Sequence, residues 1–167
     1  MNSNIIVADA SPLIAFGRIK QISLISKTLG KIIIPQAVAG ECLVEDHRPG
    51  AYEIQRAIEE KIISITPTHK IKVKPGLLEI LDNGEANALS LALQLDAGIL
   101  IDEKLGRDAA KKLNLKTIGT AGVLLLAKKK KLIKNISPII TELKNAGYYL
   151  SVELINAVLK QAKEKAD

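Results

Sequence analysis

The chain has 167 residues, 47% hydrophobic and 25% charged, a balance that suits one globular domain and excludes wholesale disorder. No run approaches the roughly 18 consecutive apolar residues of a membrane span, Met1–Ala10 lacks the basic start of a signal peptide, and the single Cys42 excludes an internal disulfide, so a soluble cytoplasmic protein with no membrane contact is expected. Lys and Arg number 24 against 18 Asp and Glu, a net charge of +6 that favours polyanionic partners, while 2% aromatic content argues against a base-stacking platform and directs nucleic-acid contacts mainly to phosphates.

In chain order, Asn4–Ala8 is a short β-branched apolar run and predicts a strand buried on both faces. Asp9 follows, and Ser11-Pro12 predicts a helix start with Ser11 as the cap. Apolar positions continue at helical spacing to Gly30, and Lys31–Ile34 predicts the second strand. A helix from Gln36 to about Leu43, a polar turn over Glu45–Gly50 and a helix from Ala51 to about Glu60 precede a third strand at Ile62–Ile65. Thr68–Gly76 reads as a basic loop containing Lys70, Lys72 and Lys74, and Leu77–Leu81 as a short helical turn. Asn83–Leu95 predicts a helix and Gly98–Ile101 a fourth strand ending at Asp102. Leu105, Ala109 and Leu113 form one helical stripe, and Lys116–Ile118 a brief fifth strand. Thr120 to about Lys131 is helical, its lysine run read as a solvated helix end. Two more helices open at Ser137-Pro138 and after Ser151, the second with the stripe Val152, Ile155, Leu159 and Ala162. Alternating strands and helices predict an α/β fold with a mostly parallel five-stranded sheet. The expected organisation is a domain over 1–135 and a C-terminal helical extension over 136–167 packed on it.

Ligands of such folds gather at the carboxyl ends of the strands. Asp9 directly follows the first strand and Asp102 the fourth, so neighbouring strands would bring both carboxylates to one crevice. Crowded carboxylates repel unless a cation neutralises them, and hard divalent ions take oxygen ligands. Glu41, in the helix after the second strand, and Glu85, in the first turn of the helix at Asn83, are two further candidates. Each acid also has a plainer reading: Asp9 and Asp102 as turn residues, Glu41 as a solvated helix residue, Glu85 as the partner of Asp82 in a capping box. The chemistry therefore rests on the combination. His47 and His69 are read as surface residues, Cys42 as a buried thiol, and no glycine-rich phosphate loop is present.

The combination resembles PIN-domain proteins. Val7-Ala-Asp-Ala-Ser-Pro-Leu-Ile14 looks like their opening motif, Val38-Ala-Gly-Glu41 like the segment with their helix glutamate, and Gly84-Glu-Ala-Asn-Ala-Leu89 like the third motif. Leu100-Ile-Asp102 with Gly106-Arg107 and Gly119-Thr120 is similar to the fourth, and Ser11-Pro12 with Arg107 resembles a PIN-like subgroup of predicted nucleic-acid-binding proteins. The resemblance covers roughly residues 4 to 130. It implies a three-layer α/β sandwich with a parallel sheet of order 3-2-1-4-5. It further implies a Mg2+- or Mn2+-dependent ribonuclease, with RNA as substrate, a homodimeric state, and a toxin role beside a small antitoxin protein. Asp9, Glu41, Glu85 and Asp102 would be the acidic quartet, with Asp9, Asp102 and Glu85 on the metal. Ser11, Lys104, Arg107 and Thr120 would contact substrate. The sequence departs from many toxin members after Asp102, where Glu103-Lys104 stand in place of a second aspartate. That departure motivates an alternative, a non-catalytic PIN-like nucleic-acid-binding or regulatory protein. A receiver-type phosphotransfer domain is the other rival, but it needs an aspartate after the third strand, where Thr66-Pro67 stand.

Overall fold

The structure is a computed structural model and describes residues 4–44, 47, 48 and 50–165. Its strands are β1 Ile5–Ala8, β2 Lys31–Pro35, β3 Ile63–Thr66, β4 Gly98–Leu100 and β5 Thr117–Ile118. They pair in parallel in the order β3-β2-β1-β4-β5, as the resemblance implied. Ile6, Val7 and Ala8 are consecutive and all at most 6% exposed. Successive strand side chains point to opposite faces, so the sheet is covered on both sides, which is why its strands read as unbroken apolar runs.

The helices are α1 Ala10–Arg18, α2 Ile22–Leu29, α3 Gln36–Leu43, α4 Ala51–Glu59, α5 Asn83–Leu95, α6 Lys104–Lys112, α7 Thr120–Lys129, α8 Ser137–Asn145 and α9 Val152–Gln161. Leu13, Phe16, Ile25, Ile54, Leu89 and Leu91 bring apolar faces against Ile32, Ile34, Ile99 and Leu100 of the sheet. Each such side chain contributes about 1.5–3 kcal/mol by leaving water. A 3-10 turn at Thr68–Lys70 opens the basic loop, whose backbone is held to α5 by Gln94 and Ser90, and the short helical turn expected after it is a 3-10 turn at Leu77–Glu79. Among the described residues no helix is long and apolar enough to cross a membrane.

Three local expectations change. First, the helix after β1 begins at Ala10 and not after Ser11, with Asp9 in the cap position but making no side-chain cap bond. Pro12 is tolerated inside the first turn because its missing N–H is one that the helix leaves unpaired there. Second, the apolar stretch to Gly30 splits after Arg18, where Lys20 turns into the left-handed region at φ 56°. Gly30 itself, at φ 95°, passes so close to Asn4 that a Cβ would meet its carbonyl oxygen at 2.3 Å. Third, the lysine run is not simply solvated. Lys128 Nζ reaches Glu164 Oε1 at 2.5 Å, and Lys130 Nζ donates to the Thr28 carbonyl at 2.6 Å.

Glu164 also accepts from the backbone N–H groups of Ile136 and Ser137, so one carboxylate clasps the ends of α7, α8 and α9. Ile140, Leu143, Val158 and Leu159 of α8 and α9 are buried in the same core as the sheet. Of the predicted α9 stripe, Leu159 is buried, Ile155 and Ala162 are half-buried and Val152 is exposed. His47 and His69 are exposed and Cys42 is buried. Residues 45, 46 and 49 of the predicted polar turn lie outside the described residues.

Candidate functional site

The site lies beyond the carboxyl ends of β1 and β4. The backbone N–H of Asp9 donates to the Leu100 carbonyl at 2.9 Å, which continues the β1–β4 ladder by one residue and fixes where Asp9 leaves the sheet. Its side chain is 4% exposed, although it is an acid. Burial raises its pKa from 3.8 to about 7, opposed by a hydrogen bond from the Ala10 backbone and reinforced by the charges of Glu85, Glu41 and Asp82. A carboxylate this buried among three others favours either a proton or a cation.

Glu41 comes from α3, which starts where Pro35 ends β2, and α3 packs against α5. Its carboxylate lies against the backbone of Gly84. A Cβ on Gly84 would fall 1.9 Å from Glu41 Oε1, so the acid occupies the space a side chain at 84 would take. Burial, then Asp82 and Glu85, raise the Glu41 pKa. Glu85 is held by the first turn of α5. Its backbone N–H donates to Asp82 Oδ1 at 2.8 Å, and its Oε2 accepts from the Asp82 N–H at 3.3 Å. The capping box expected of Asp82 and Glu85 is therefore present, and it fixes the orientation of the Glu85 carboxylate. Burial, then the Asp82 charge, raise the Glu85 pKa; the Asp82 backbone bond opposes this and Glu103 adds to it.

Asp102 is arranged differently. Its Oδ1 accepts from the Thr120 N–H at 2.8 Å, and its Oδ2 accepts from the Thr120 hydroxyl at 2.7 Å and from the Tyr148 phenol at 2.5 Å. A carboxylate offers about four lone-pair positions, so these three bonds leave it about one. The phenol is pushed upward by its own burial and then by the Asp102 charge and hydrogen bond, while Thr120 and Ser11 pull it down. Thr120 is fully buried, and Ser11, a hydrogen-bond partner of the Tyr148 phenol, is half-buried. Gly119 makes this approach possible, since a Cβ there would meet Asp102 Oδ1 at 2.8 Å.

The structure thus joins Asp9, Glu41 and Glu85 electrostatically, as expected from their positions, and adds Asp82, which sequence reasoning treated as a cap alone. Asp102 is set apart by its own hydrogen bonds. Tyr148 was missed altogether; its only sequence signal is an aromatic residue in a chain with four. Lys104 and Arg107 are exposed on α6 and line a cleft beside Asp102, and among the described residues neither makes an ion pair with the acids. The donors are carboxylate oxygens, the kind that suit Mg2+ or Mn2+. Among the described residues, no three His, Cys, Asp or Glu side chains close around a single point in this arrangement.

Residues 5–164 match the family DUF3368, a PIN domain. The fold is similar to that of a PilT N-terminus domain protein from the hyperthermophilic archaeon Sulfolobus solfataricus P2, at 19% identity and a TM-score of 0.42, over 88% of this chain and 97% of that one. No curated protein is significantly similar to the chain. PIN domains are generally nucleases that use divalent metals. The family match spans all five strands and every acidic residue of the site, and the chain belongs to the PIN-domain family.

Proposed function

We propose that the protein is a divalent-metal-dependent endoribonuclease. The observation that carries the reading is Asp9: an acid 4% exposed, with its pKa raised to about 7 by burial and by three neighbouring carboxylates. Such a cluster is costly to the fold unless a cation is meant to share it. Asp9, Glu85 and Asp102 are the residues that would hold Mg2+ or Mn2+, with Glu41 beside them on Gly84. A divalent cation there supplies Lewis acidity toward a phosphodiester. The chain's own residues do the rest. Thr120 and Tyr148 hold Asp102 in one orientation, the capping box does the same for Glu85, and Lys104 and Arg107 offer positive charge to the substrate backbone.

A second reading has its own observation. Asp102 already spends three lone pairs on Thr120 and Tyr148, which would suit a PIN-like protein that binds nucleic acid without cutting it. Calorimetry with Mn2+ on the wild type and on Asp102→Asn, followed by cleavage of a labelled single-stranded RNA with Mn2+ and with chelator, separates the two. Binding that is lost in the variant, together with cleavage that needs the metal, supports the nuclease. RNA binding without metal-dependent cleavage supports the second reading and overturns the first.

A further inference from the structure

Next to the acidic site lies a cleft of about 860 Å3, between the β5–α7 corner and α9. Asp102 and Tyr148 belong to its wall, so it begins where the carboxylates end. One side is apolar, built by Ile118, Leu125 and Val158; Lys104 and Arg107 stand along another. Tyr149 borders it, 85% exposed and without a hydrogen bond among the described residues. The chain has only three Tyr and one Phe, and two of these four aromatics meet at this one cleft.

That mixture selects a ligand class. A free anion would not need the apolar wall, and a purely apolar ligand would not need the two cations. A flat ring joined to a phosphate uses both. The volume lies in the upper part of the roughly 300–1,000 Å3 range of small-ligand sites, enough for a nucleotide and too little for a duplex. A paired base keeps its faces inside the helix stack, so only an unpaired one can present a face to Tyr149.

We propose that this cleft is a nucleotide subsite, holding an unpaired base of a single-stranded nucleic acid against Tyr149 and the apolar wall, with the adjoining phosphate on Lys104 and Arg107. It rests on the nuclease reading for its link to the acids, and it adds a base contact to the expectation that nucleic-acid contacts go mainly to phosphates. The C-terminal segment would then set substrate preference, because Tyr149 and α9 both lie in it.

The test is fluorescence anisotropy in chelator with a labelled oligouridylate of about ten nucleotides, within the roughly 4–16 that single-strand-binding OB domains cover, and with the same strand in a duplex. Tyr149→Ala removes the exposed ring; Ala157→Leu adds bulk on the cleft side of α9 without changing charge. Both variants should weaken single-strand binding by about 5- to 100-fold, the range for loss of one base stack, and the duplex should bind more weakly than the single strand. Mn2+ binding should be unchanged in both. Wild-type affinity in both variants, equal affinity for the duplex, or no oligonucleotide binding by the wild type each overturns the subsite. Weakened binding by the variants without any metal-dependent cleavage upholds the subsite and overturns only the nuclease.

Discussion

Asp9→Asn separates the cost of the acidic cluster from its use. Ionising Asp9 in the folded chain is opposed mainly by burial, which raises its pKa from 3.8 to about 7. At about 1.4 kcal/mol per pH unit, the ionised side chain costs the metal-free fold about 4 kcal/mol. The sign follows from proton counting. Between pH 4 and 7 the unfolded chain has released this proton while the folded chain keeps it, so stability falls as pH rises and levels off above 7. Below pH 4 both states hold the proton and the contribution is fully present. Asparagine has nearly the shape of the protonated acid and no charge to lose. In chelator, urea unfolding should therefore show Asp9→Asn close to wild type at pH 4 and more stable at pH 8, by up to about 4 kcal/mol. A shallower slope remains in the variant, because the Glu41 and Glu85 pKa values are raised in the same direction. Saturating Mn2+ should then stabilise the wild type at pH 8, by about 2.7 kcal/mol at a hundredfold excess over Kd, and leave the variant unmoved. Wild-type stability that is flat from pH 5 to 8, or a variant less stable than wild type at pH 8, would refute the argument that Asp9 is a buried acid held against its preference.

Gly84→Ala should leave stability within about 1 kcal/mol of wild type or slightly above it, since alanine is the better helix former. It should nevertheless weaken Mn2+ binding, because the new Cβ falls where Glu41 Oε1 lies and that flexible carboxylate must move; unchanged calorimetry would remove Glu41 from the site. Tyr148→Phe deletes one hydrogen bond to Asp102. It should cost about 1.5–3 kcal/mol in denaturation, as for a bond to a charged group, and about 10- to 100-fold in metal-dependent cleavage, as for other residues that orient a ligand. Faster cleavage would mean that the phenol competes for Asp102 instead of orienting it. Glu164 is opposed by burial, but Lys128 and the N–H groups of Ile136 and Ser137 outweigh this and hold its pKa below 4.5. Its contribution is therefore present above pH 4.5 and lost as pH falls, so Glu164→Gln should destabilise by about 1–3 kcal/mol at pH 7, with the gap to wild type closing in acid.

Most of the fold was legible because its signals are local. Five short apolar runs, each closed by an acid, a proline or a glycine, carry the strands, and a parallel sheet covered on both faces needs no finer pattern. Asp9 and Asp102 stood out as acids that follow predicted strands, whereas Glu41 and Glu85 read alone as ordinary helix acids and joined them only through the resemblance to PIN domains. The misplaced details depend on partners far along the chain. Lys128 looks solvated until Glu164 folds back onto it, 36 residues away. Asp82 reads as a cap, which it is, but its charge also acts on Asp9, Glu41 and Glu85, and no spacing rule conveys that. Ser11 looked like the cap because Ser-Pro is a common helix start, yet the sheet ladder carries on through the Asp9 N–H and the chain turns into the helix at once.

Tyr148 shows how the C-terminal segment enters the site. Its phenol reaches Asp102 from 46 residues away, in a turn after α8 that has no apolar periodicity to mark it. That turn is anchored on both sides: Arg18 at the end of α1 donates to the Ala146 carbonyl at 3.2 Å, and Ser151 caps α9 through the Leu154 N–H. α9 then packs on α7, whose first residue is Thr120, the other donor to Asp102. One carboxylate is therefore oriented from the sheet, from α7 and from the C-terminal turn at once. Glu164, 16 residues after Tyr148, locks the far end of the same segment to Lys128. Loosening that clasp should reach Asp102 through α9 and the turn, so the α8–α9 segment positions a carboxylate that stands beyond the end of β4.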